Sequence, residues 1–228
     1  PHVLAVGGTS TNVSSTGSRL EVAWGNSGGG MSAYMALPSW QSGLTPAGGS
    51  STLARRAVPD VAFNASPMTG EWVAVTLPGK TTTWSAYGGT SIAAPQWAAV
   101  VAVANAIRAS NAQAALGDVH SVLYKSIAAV PGTYAAALGD VIQGTNGTCA
   151  TCRAGTGFDQ VTGWGTPNAS QLFQVLTGAT ATTATSTTNH APTVTSATLN
   201  EKAGVYFATR ITASDADGDP LSYTMTGA

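Results

Sequence analysis

The segment GGTSIAAP at residues 88–95 constrains the fold more than any other part of the sequence. It opens a long apolar, Ala-rich run that predicts a buried helix over residues 91–110. Its two glycines allow a sharp turn and a close backbone approach to another molecule. Ser91 then falls at the helix N-terminus, where free N–H groups and the helix dipole favour negative charge developing near the hydroxyl. Ser91 is therefore a candidate nucleophile, and the alternative is a serine that only caps the helix.

A serine hydroxyl needs a base before it can attack, and the residues alone do not identify one. His2 lies at the N-terminus, His120 follows the long helix and His190 lies in a Thr-rich stretch. The acidic residues form no Glu-x-x-x-Asp pair that would place two carboxylates on one helix face. The base for Ser91 stays open at this level.

Three parts follow one another along the chain. Residues 1–177 alternate short strands (3–6, 20–24, 59–63, 72–77) with helices (91–110, 118–126, 170–176), which predicts an α/β domain. Residues 178–191 are rich in Thr and Ala and predict an extended linker. Residues 192–228 read as strands, and we expect them to be the start of a truncated all-β module of the Ig-like or cadherin-like kind. Their Asp-x-Asp-x-Asp run, Asp215 to Asp219, is similar to the calcium-binding linkers of cadherins.

Composition excludes some functions. Charged residues make up 8% of the chain and the net charge is −1, so we expect no nucleic-acid partner. No run of about 18 uncharged apolar residues is present, so we expect no membrane span. Cys149 and Cys152 are the only cysteines and form a Cys-x-x-Cys pair. A redox pair or half a zinc site is possible at this spacing, but a local disulfide in a secreted protein is favoured because no second pair exists.

Several motifs of residues 1–177 resemble, in the same order, those of the sedolisins, which are serine-carboxyl peptidases with a subtilisin-like fold. These are PHVLAVGGT at 1–9, GGGMS at 28–32, PSWQ at 38–41, RAVPDVA at 56–62 and the segment at 88–95. The resemblance implies a parallel sheet flanked by helices, and a peptidase that cleaves peptide or protein substrates at acid pH.

The resemblance further implies that Ser91 is the nucleophile, with a Glu as general base, an Asp beside that Glu, and a protonated Asp in the oxyanion hole. In the family these three acids precede the strand that resembles residues 1–9. We therefore expect this chain to lack them, to need the N-terminal part of the same catalytic domain as its partner, and to be inactive alone.

A calcium site is the second expectation. Asp140 and Asp159 stand beside Gly-rich turns, which could supply hard oxygen ligands or be ordinary Asp-capped turns. The sedolisin resemblance implies one Ca²⁺, bound by these two carboxylates and by the backbone carbonyls of Val141, Gly155 and Gly157.

Two other functions remain open. A subtilisin-type enzyme with a Ser-His-Asp triad also has Gly-Thr-Ser at a helix start, but its base would be a histidine and would act near neutral pH. A secreted binding or adhesion protein with a catalytically dead peptidase fold would explain the Thr-rich linker and the β-rich tail.

Overall fold

The computed structural model describes residues 2–13, 19–178, 193–194 and 213–214. The chain divides into two compact units, Pro1–Thr180 and Ala181–Ala228. In the second unit, β10 (Thr193–Val194) and β11 (Ala213–Ser214) form an antiparallel pair. The rest of the predicted linker and β module, including Asp215 to Asp219, lies outside the described residues.

The central sheet of the first unit has three strands in the order β2-β1-β5. Strand β1 (Val6–Val13) pairs antiparallel with β2 (Arg19–Ala23) and parallel with β5 (Val61–Asn64). A short connection joins β1 to β2 and forces antiparallel pairing, whereas the long connection from β2 to β5 leaves room for a crossover. The fold is α/β as predicted, but its sheet is mixed, and the expected parallel pairing is present in the β1–β5 pair alone among the described strands.

Three further strand pairs surround this sheet, each antiparallel. They are β3 (Gly30–Ala36) with β4 (Arg55–Val58), β6 (Glu71–Val75) with β7 (Thr83–Tyr87), and β8 (Leu138–Gly139) with β9 (Thr166–Pro167).

The strand predicted at residues 3–6 was wrong, because β1 begins at Val6 and continues through two glycines. Glycine is uncommon in strands, but position 7 requires it, since a Cβ there would stand 2.8 Å from Pro59 Cγ.

Four helical segments complete the unit. They are α1 (Thr90–Ser110), a π-helix (Val122–Ile127), α2 (Pro131–Ala137) and α3 (Ala169–Thr177). Short 3₁₀ turns lie at Ser39–Gln41, Pro67–Thr69 and Ala150–Cys152. Helix α1 packs on β1 and β5, and its Trp97 Nε1–H donates a 2.8 Å hydrogen bond to the carbonyl of Ala62. The helix that carries Ser91 is thus fixed to the central sheet.

Helix α1 is long and apolar enough to cross a membrane by length and composition alone. One such helix is weak support for a membrane span, because the core helix of a globular domain passes the same test. Ala93, Trp97, Val100 and Ala104 of α1 are buried in the core of the first unit.

Candidate active site and calcium loop

Ser91 lies directly after the tight turn that joins β7 to α1. A Cβ on Gly88 would stand 2.4 Å from Pro67 N, so only glycine fits this close approach. Gly89 has φ +107°, a conformation that L side chains rarely adopt, and its N–H donates to the Ala65 carbonyl at 2.5 Å. The two glycines of the motif therefore have the role that the sequence predicted for them.

The hydroxyl of Ser91 is not used as a helix cap. The N-cap of α1 is Gly89, without a side-chain cap bond, and Ser91 is the second helical residue. Its side chain is exposed, and no hydrogen bond from it is found within the described part of the chain. The capping alternative therefore does not account for Ser91, which presents a free hydroxyl at a helix N-terminus.

Pro95 leaves the backbone carbonyl oxygen of Ser91 without its usual hydrogen-bond partner in the helix. It is the sixth residue of α1, one turn deeper than the sequence suggested. In an α-helix the N–H of residue 95 would bond to the carbonyl of residue 91, and proline has no N–H. The backbone of Ser91 is thus less tied into the helix than that of an ordinary helical residue.

Neither described histidine is placed as a base for Ser91. His2 is 86% exposed and lies 3.9 Å from Asp118, while His120 is buried between Asp118 and Asp60. Among the residues that the structure describes, both rings thus have carboxylate partners and no contact to Ser91. His190 lies outside those residues.

Four of the five predicted calcium ligands are joined in pairs by hydrogen bonds. Asp140 Oδ2 accepts a 2.8 Å hydrogen bond from Gly157 N–H, and Asp159 Oδ2 accepts one of 3.0 Å from Gly155 N–H. Val141 follows Asp140 directly and is 2% exposed. Both carboxylates therefore meet the turn at residues 155–159 from its two sides.

The two carboxylates offer oxygen ligands that suit a hard cation, but two side chains are too few to bind it alone. Asp140 Oδ1 is buried and makes no hydrogen bond of ordinary geometry, although the Tyr134 hydroxyl interacts with this carboxylate. No cluster of three or more His, Cys, Asp or Glu side chains suited to a metal exists within the described ranges. A Ca²⁺ here would need the backbone oxygens of Val141, Gly155 and Gly157 beside the two carboxylates.

The Asp159 carboxylate is held mainly by backbone N–H groups. Val161 and Thr162 donate to Oδ1 at 2.9 and 2.7 Å, and the Thr162 hydroxyl lies 3.1 and 3.2 Å from the two oxygens. Burial nevertheless outweighs these bonds and raises the pKa of Asp159 above its ordinary value. No positively charged group is among the interactions that lower the pKa of Asp159.

Cys149 and Cys152 form a disulfide at the end of the same loop. The pair closes the turn at Ala150–Cys152, and Asn146 N–H donates to the Cys152 carbonyl at 3.0 Å. The predicted disulfide is present in the structure, and it lies within the stretch between the two candidate aspartates.

A third group of residues was not recognised from sequence as a cluster. Asp60 is fully buried and accepts hydrogen bonds from Ala5 N–H (2.7 Å), Arg56 Nη2 (2.5 Å) and the Tyr124 hydroxyl (2.7 Å). His120 completes the group with Nε2 3.3 Å from Asp60 Oδ2. Burial opposes the Asp60 charge, but the interactions with His120, Arg56 and Ala5 hold the pKa of Asp60 below its ordinary value. The one local signal was Arg56, four residues before Asp60.

The segment PSWQ at residues 38–41 contributes two side chains to this cluster. Trp40 is 8% exposed and Gln41 is fully buried. Gln41 Nε2 donates to the Tyr124 hydroxyl at 3.0 Å, and Arg56 lies over the Trp40 ring at 4.7 Å. These two side chains are therefore core residues in the described structure.

Comparison with known proteins decides the family. Kumamolisin from Bacillus sp. (strain MN-32) is 35% identical over 187 residues, which are 77% of this chain and 31% of kumamolisin. Sedolisin from Pseudomonas sp. (strain 101) is 32% identical over 184 residues, 75% of this chain and 28% of that protein. The chain is homologous to the sedolisins.

The structural comparison agrees with this homology. A solved Pseudomonas sedolisin, a serine-carboxyl proteinase complexed with two molecules of pseudo-iodotyrostatin, has a TM-score of 0.61 and 30% identity. The match covers 78% of this chain and 47% of that chain. Tripeptidyl-peptidase 1 from Macaca fascicularis is 31% identical over 77% of this chain and 32% of its own length. No protein-family model matches.

Sedolisin homology confirms the predicted family over about 77% of the chain and supports an α/β fold with a mixed sheet. The chain spans about a third of the length of these curated relatives. Ser91 and the five calcium ligands stay predictions, because the names of the relatives assign no residue of this chain.

Proposed function

We propose that this chain carries the nucleophile of a secreted serine-carboxyl endopeptidase of the sedolisin kind, which cleaves peptides and proteins at acid pH. The observation that carries the proposal is Ser91, whose exposed hydroxyl stands free at the start of α1 in a sedolisin homologue. The disulfide of Cys149 and Cys152 supports an oxidising, extracellular location.

In the proposed reaction, Ser91 Oγ attacks the scissile carbonyl carbon as its proton passes to a glutamate base. The oxyanion of the tetrahedral intermediate accepts hydrogen bonds from a protonated aspartic acid and backbone donors. Collapse expels the amine, which takes up the proton, and leaves an acyl group on Ser91 Oγ that water hydrolyses. An aspartic acid must be protonated to donate here, so the reaction favours acid pH.

The N-terminal part of the same catalytic domain is the proposed partner, and it would supply the glutamate, its supporting aspartate and the oxyanion aspartate. Helix α1 offers a surface for it: its 18-residue apolar window is only 17% buried in the described structure. The exposed side consists mostly of small apolar residues, namely Ala94, Pro95, Ala98, Ala99, Ala102 and Val103. A helix of this composition normally packs against other elements on more than one side. We propose that residues 1–228 alone do not turn over substrate.

Calcium is the proposed cofactor, held by Asp140, Asp159 and the backbone oxygens of Val141, Gly155 and Gly157. When bound, Ca²⁺ supplies positive charge that orders the loop, and it takes no part in bond cleavage. The buried Asp140 Oδ1, which makes no hydrogen bond of ordinary geometry, supports this assignment. Asp140 and Asp159 would orient the loop at 155–159, which continues through Val161 to β9.

Peptide cleavage at about pH 4 by the full-length protein with Ca²⁺ tests the proposal. We expect Ser91→Ala to lower kcat/KM by at least about 10⁴-fold, as loss of a nucleophile does in other serine peptidases. Ser110→Ala, the same change at the far end of α1, should leave it unchanged.

Two results would contradict the proposal. Cleavage near neutral pH only would indicate a histidine base of the subtilisin type. An intact, calcium-loaded protein that cleaves at neither pH would favour a catalytically dead binding protein.

A further inference from the structure

The imidazole of His120 is enclosed by groups of opposite charge. Its side chain is 1% exposed and stacks on the Trp40 ring, with centroids 4.3 Å apart and planes at 15°. Nδ1 lies 2.5 Å from Asp118 Oδ1. Nε2 lies 3.3 Å from Asp60 Oδ2, an ion-pair distance at an angle that falls short of a hydrogen bond. Both ring nitrogens therefore face carboxylate oxygens.

This arrangement fits the charged ring and no neutral tautomer. A neutral imidazole has one N–H and one lone pair, so one of its nitrogens would turn a lone pair toward a carboxylate. The imidazolium presents an N–H to a carboxylate on both sides. The charges of Asp60, Asp118, Arg56 and protonated His120 sum to zero, and loss of the His120 proton leaves a net charge of −1 on a cluster in which Asp60 is buried and the Asp118 side chain is 42% exposed.

Every charged or titratable group around the ring is accounted for in the described residues. Asp118 precedes it, and Asp60 and Arg56 come from the β4–β5 region. The Tyr124 hydroxyl donates to Asp60 Oδ1, and His2 lies 3.9 Å from the outer oxygen of Asp118. Helix α1 contributes uncharged side chains to the adjoining cavity of about 330 Å³: Ala94, Trp97, Ala98 and Val101.

We propose that protonated His120 is a pH-sensitive brace that fastens the segment leading into the π-helix to the start of β5, and that it releases when the ring loses its proton. Asp60 connects the brace to the rest of the unit, because it also accepts from Ala5 N–H ahead of β1. Strand β5 in turn holds α1 through the bond from Trp97 to the Ala62 carbonyl. Release of the brace thus loosens the support of the helix that carries Ser91.

The direction of the pH effect follows from linkage. Burial disfavours the charged ring, but the interactions with Asp60 and Asp118 outweigh it and raise the pKa of His120 above its ordinary value. Its contribution to stability is therefore complete below about pH 6.5, the unfolded pKa, and is lost as pH rises through the folded pKa. The pKa values of Asp60 and Asp118 are lowered despite burial, so their contribution is present above about pH 4 and is lost on further acidification.

Denaturant unfolding from pH 6 to pH 8.5 tests the brace in the full-length protein. We expect the unfolding equilibrium constant of the wild type to rise above about pH 6.5 by up to tenfold per pH unit. His120→Gln should remove this rise. His2→Gln is the control, because His2 also lies beside Asp118 but is exposed. This variant should keep the rise of the unfolding equilibrium constant with pH. A wild type with flat stability over this range, or His120→Gln with the wild-type slope, would overturn the proposal.

A second measurement does not depend on how well a variant folds. Nitrogen NMR of the histidine rings in the wild type reports their charge directly. His120 should remain an imidazolium at pH 6.5, the ordinary pKa of a histidine. A His120 ring that is neutral at pH 6.5 would overturn the brace. Peptide cleavage enters neither measurement, so failure here is distinct from failure of the proposed peptidase function.

Discussion

Asp60 and Asp159 are both fully buried carboxylates in the first unit, yet their pKa values move in opposite directions. Asp60 has two cationic partners, Arg56 at 2.5 Å and His120 at 3.3 Å. Asp159 has backbone N–H donors and one threonine hydroxyl, and no ion pair in the described part of the chain. The donors around Asp159 therefore do not offset its burial, whereas the side-chain hydrogen bonds from His120 and Arg56, followed by the Arg56 charge, do so for Asp60.

The difference indicates which of the two regions is complete without a ligand. The cluster around Asp60 is balanced by its own side chains. The loop around Asp159 is not, because Asp140 lies against the same turn and neither aspartate has a cationic partner among the described residues. The pKa of the Tyr134 hydroxyl is raised by burial first, and then by the charge of Asp140, a hydrogen bond with Asp140 and the charge of Asp159. The proposed Ca²⁺ would supply positive charge to this region.

The largest expected effect is in the balanced cluster. Asp60→Asn removes the negative charge between Arg56 and His120 and leaves two buried cations with one partner fewer. We expect a loss of about 3–5 kcal/mol in the free energy of unfolding, as for other broken buried pairs. Urea denaturation at pH 6 measures it. Glu71→Gln, which neutralises an exposed acid on β6, is the control and should cost almost nothing. A loss as small as that of the control would mean that the cluster is not a balanced unit.

Calcium should reveal the unbalanced loop. Added Ca²⁺ at about 100 times its Kd should stabilise the protein by about 2.7 kcal/mol, and chelation should reverse the gain. Asp140→Asn should abolish the response because it removes the negative charge of a carboxylate whose buried Oδ1 makes no hydrogen bond of ordinary geometry in the described structure.

Asp118→Asn is the matched control for calcium. It makes the same change at a partly exposed acid of the balanced cluster, and it should keep the response. Thermal melts with and without Ca²⁺ decide the point. If Ca²⁺ does not change the melting temperature of the wild type, the calcium proposal is wrong and the loop is only a pair of hydrogen-bonded turns.

The sequence could predict those features that depend on near neighbours. The turn at residues 88–91 and the helix after it are encoded in eight consecutive residues. The disulfide joins cysteines three positions apart, and Asp159 stands within the loop that holds it. The Asp60 cluster could not be found in this way, because Tyr124 and Asp60 are 64 positions apart and meet only after β5 and the π-helix pack.

Strand pairing failed for a related reason. The strand predicted at 72–77 is close to β6, but its partner β7 carries few aliphatic residues and is exposed throughout. The mixed character of the central sheet also depends on which strand lies beside β1, and the hydrophobic pattern of a single strand does not specify its neighbour.

The smallest expected effects come from deleting one hydroxyl in each region. Tyr124→Phe removes the 2.7 Å donation to Asp60 Oδ1 and the acceptor of the bond from Gln41 Nε2. We expect it to cost about 1.5–3 kcal/mol, the range for a hydrogen bond to a charged group. Thr162→Val removes a hydroxyl from Asp159, but the backbone donors of Val161, Thr162 and Gly155 remain.

The cost of Thr162→Val should therefore be lower, about 1 kcal/mol. Denaturation of the two variants side by side, without Ca²⁺, measures the difference. If Thr162→Val costs as much as Tyr124→Phe, the backbone donors do not hold Asp159 without the hydroxyl. The contrast between a cluster balanced by side chains and a loop held by the main chain would then be wrong. If Thr162→Val costs less than Tyr124→Phe, a further test uses Ca²⁺. Added Ca²⁺ should reduce the loss of unfolding free energy in Thr162→Val and leave that in Tyr124→Phe unchanged. The reason is that the proposed cation interacts with Asp159 and not with Asp60.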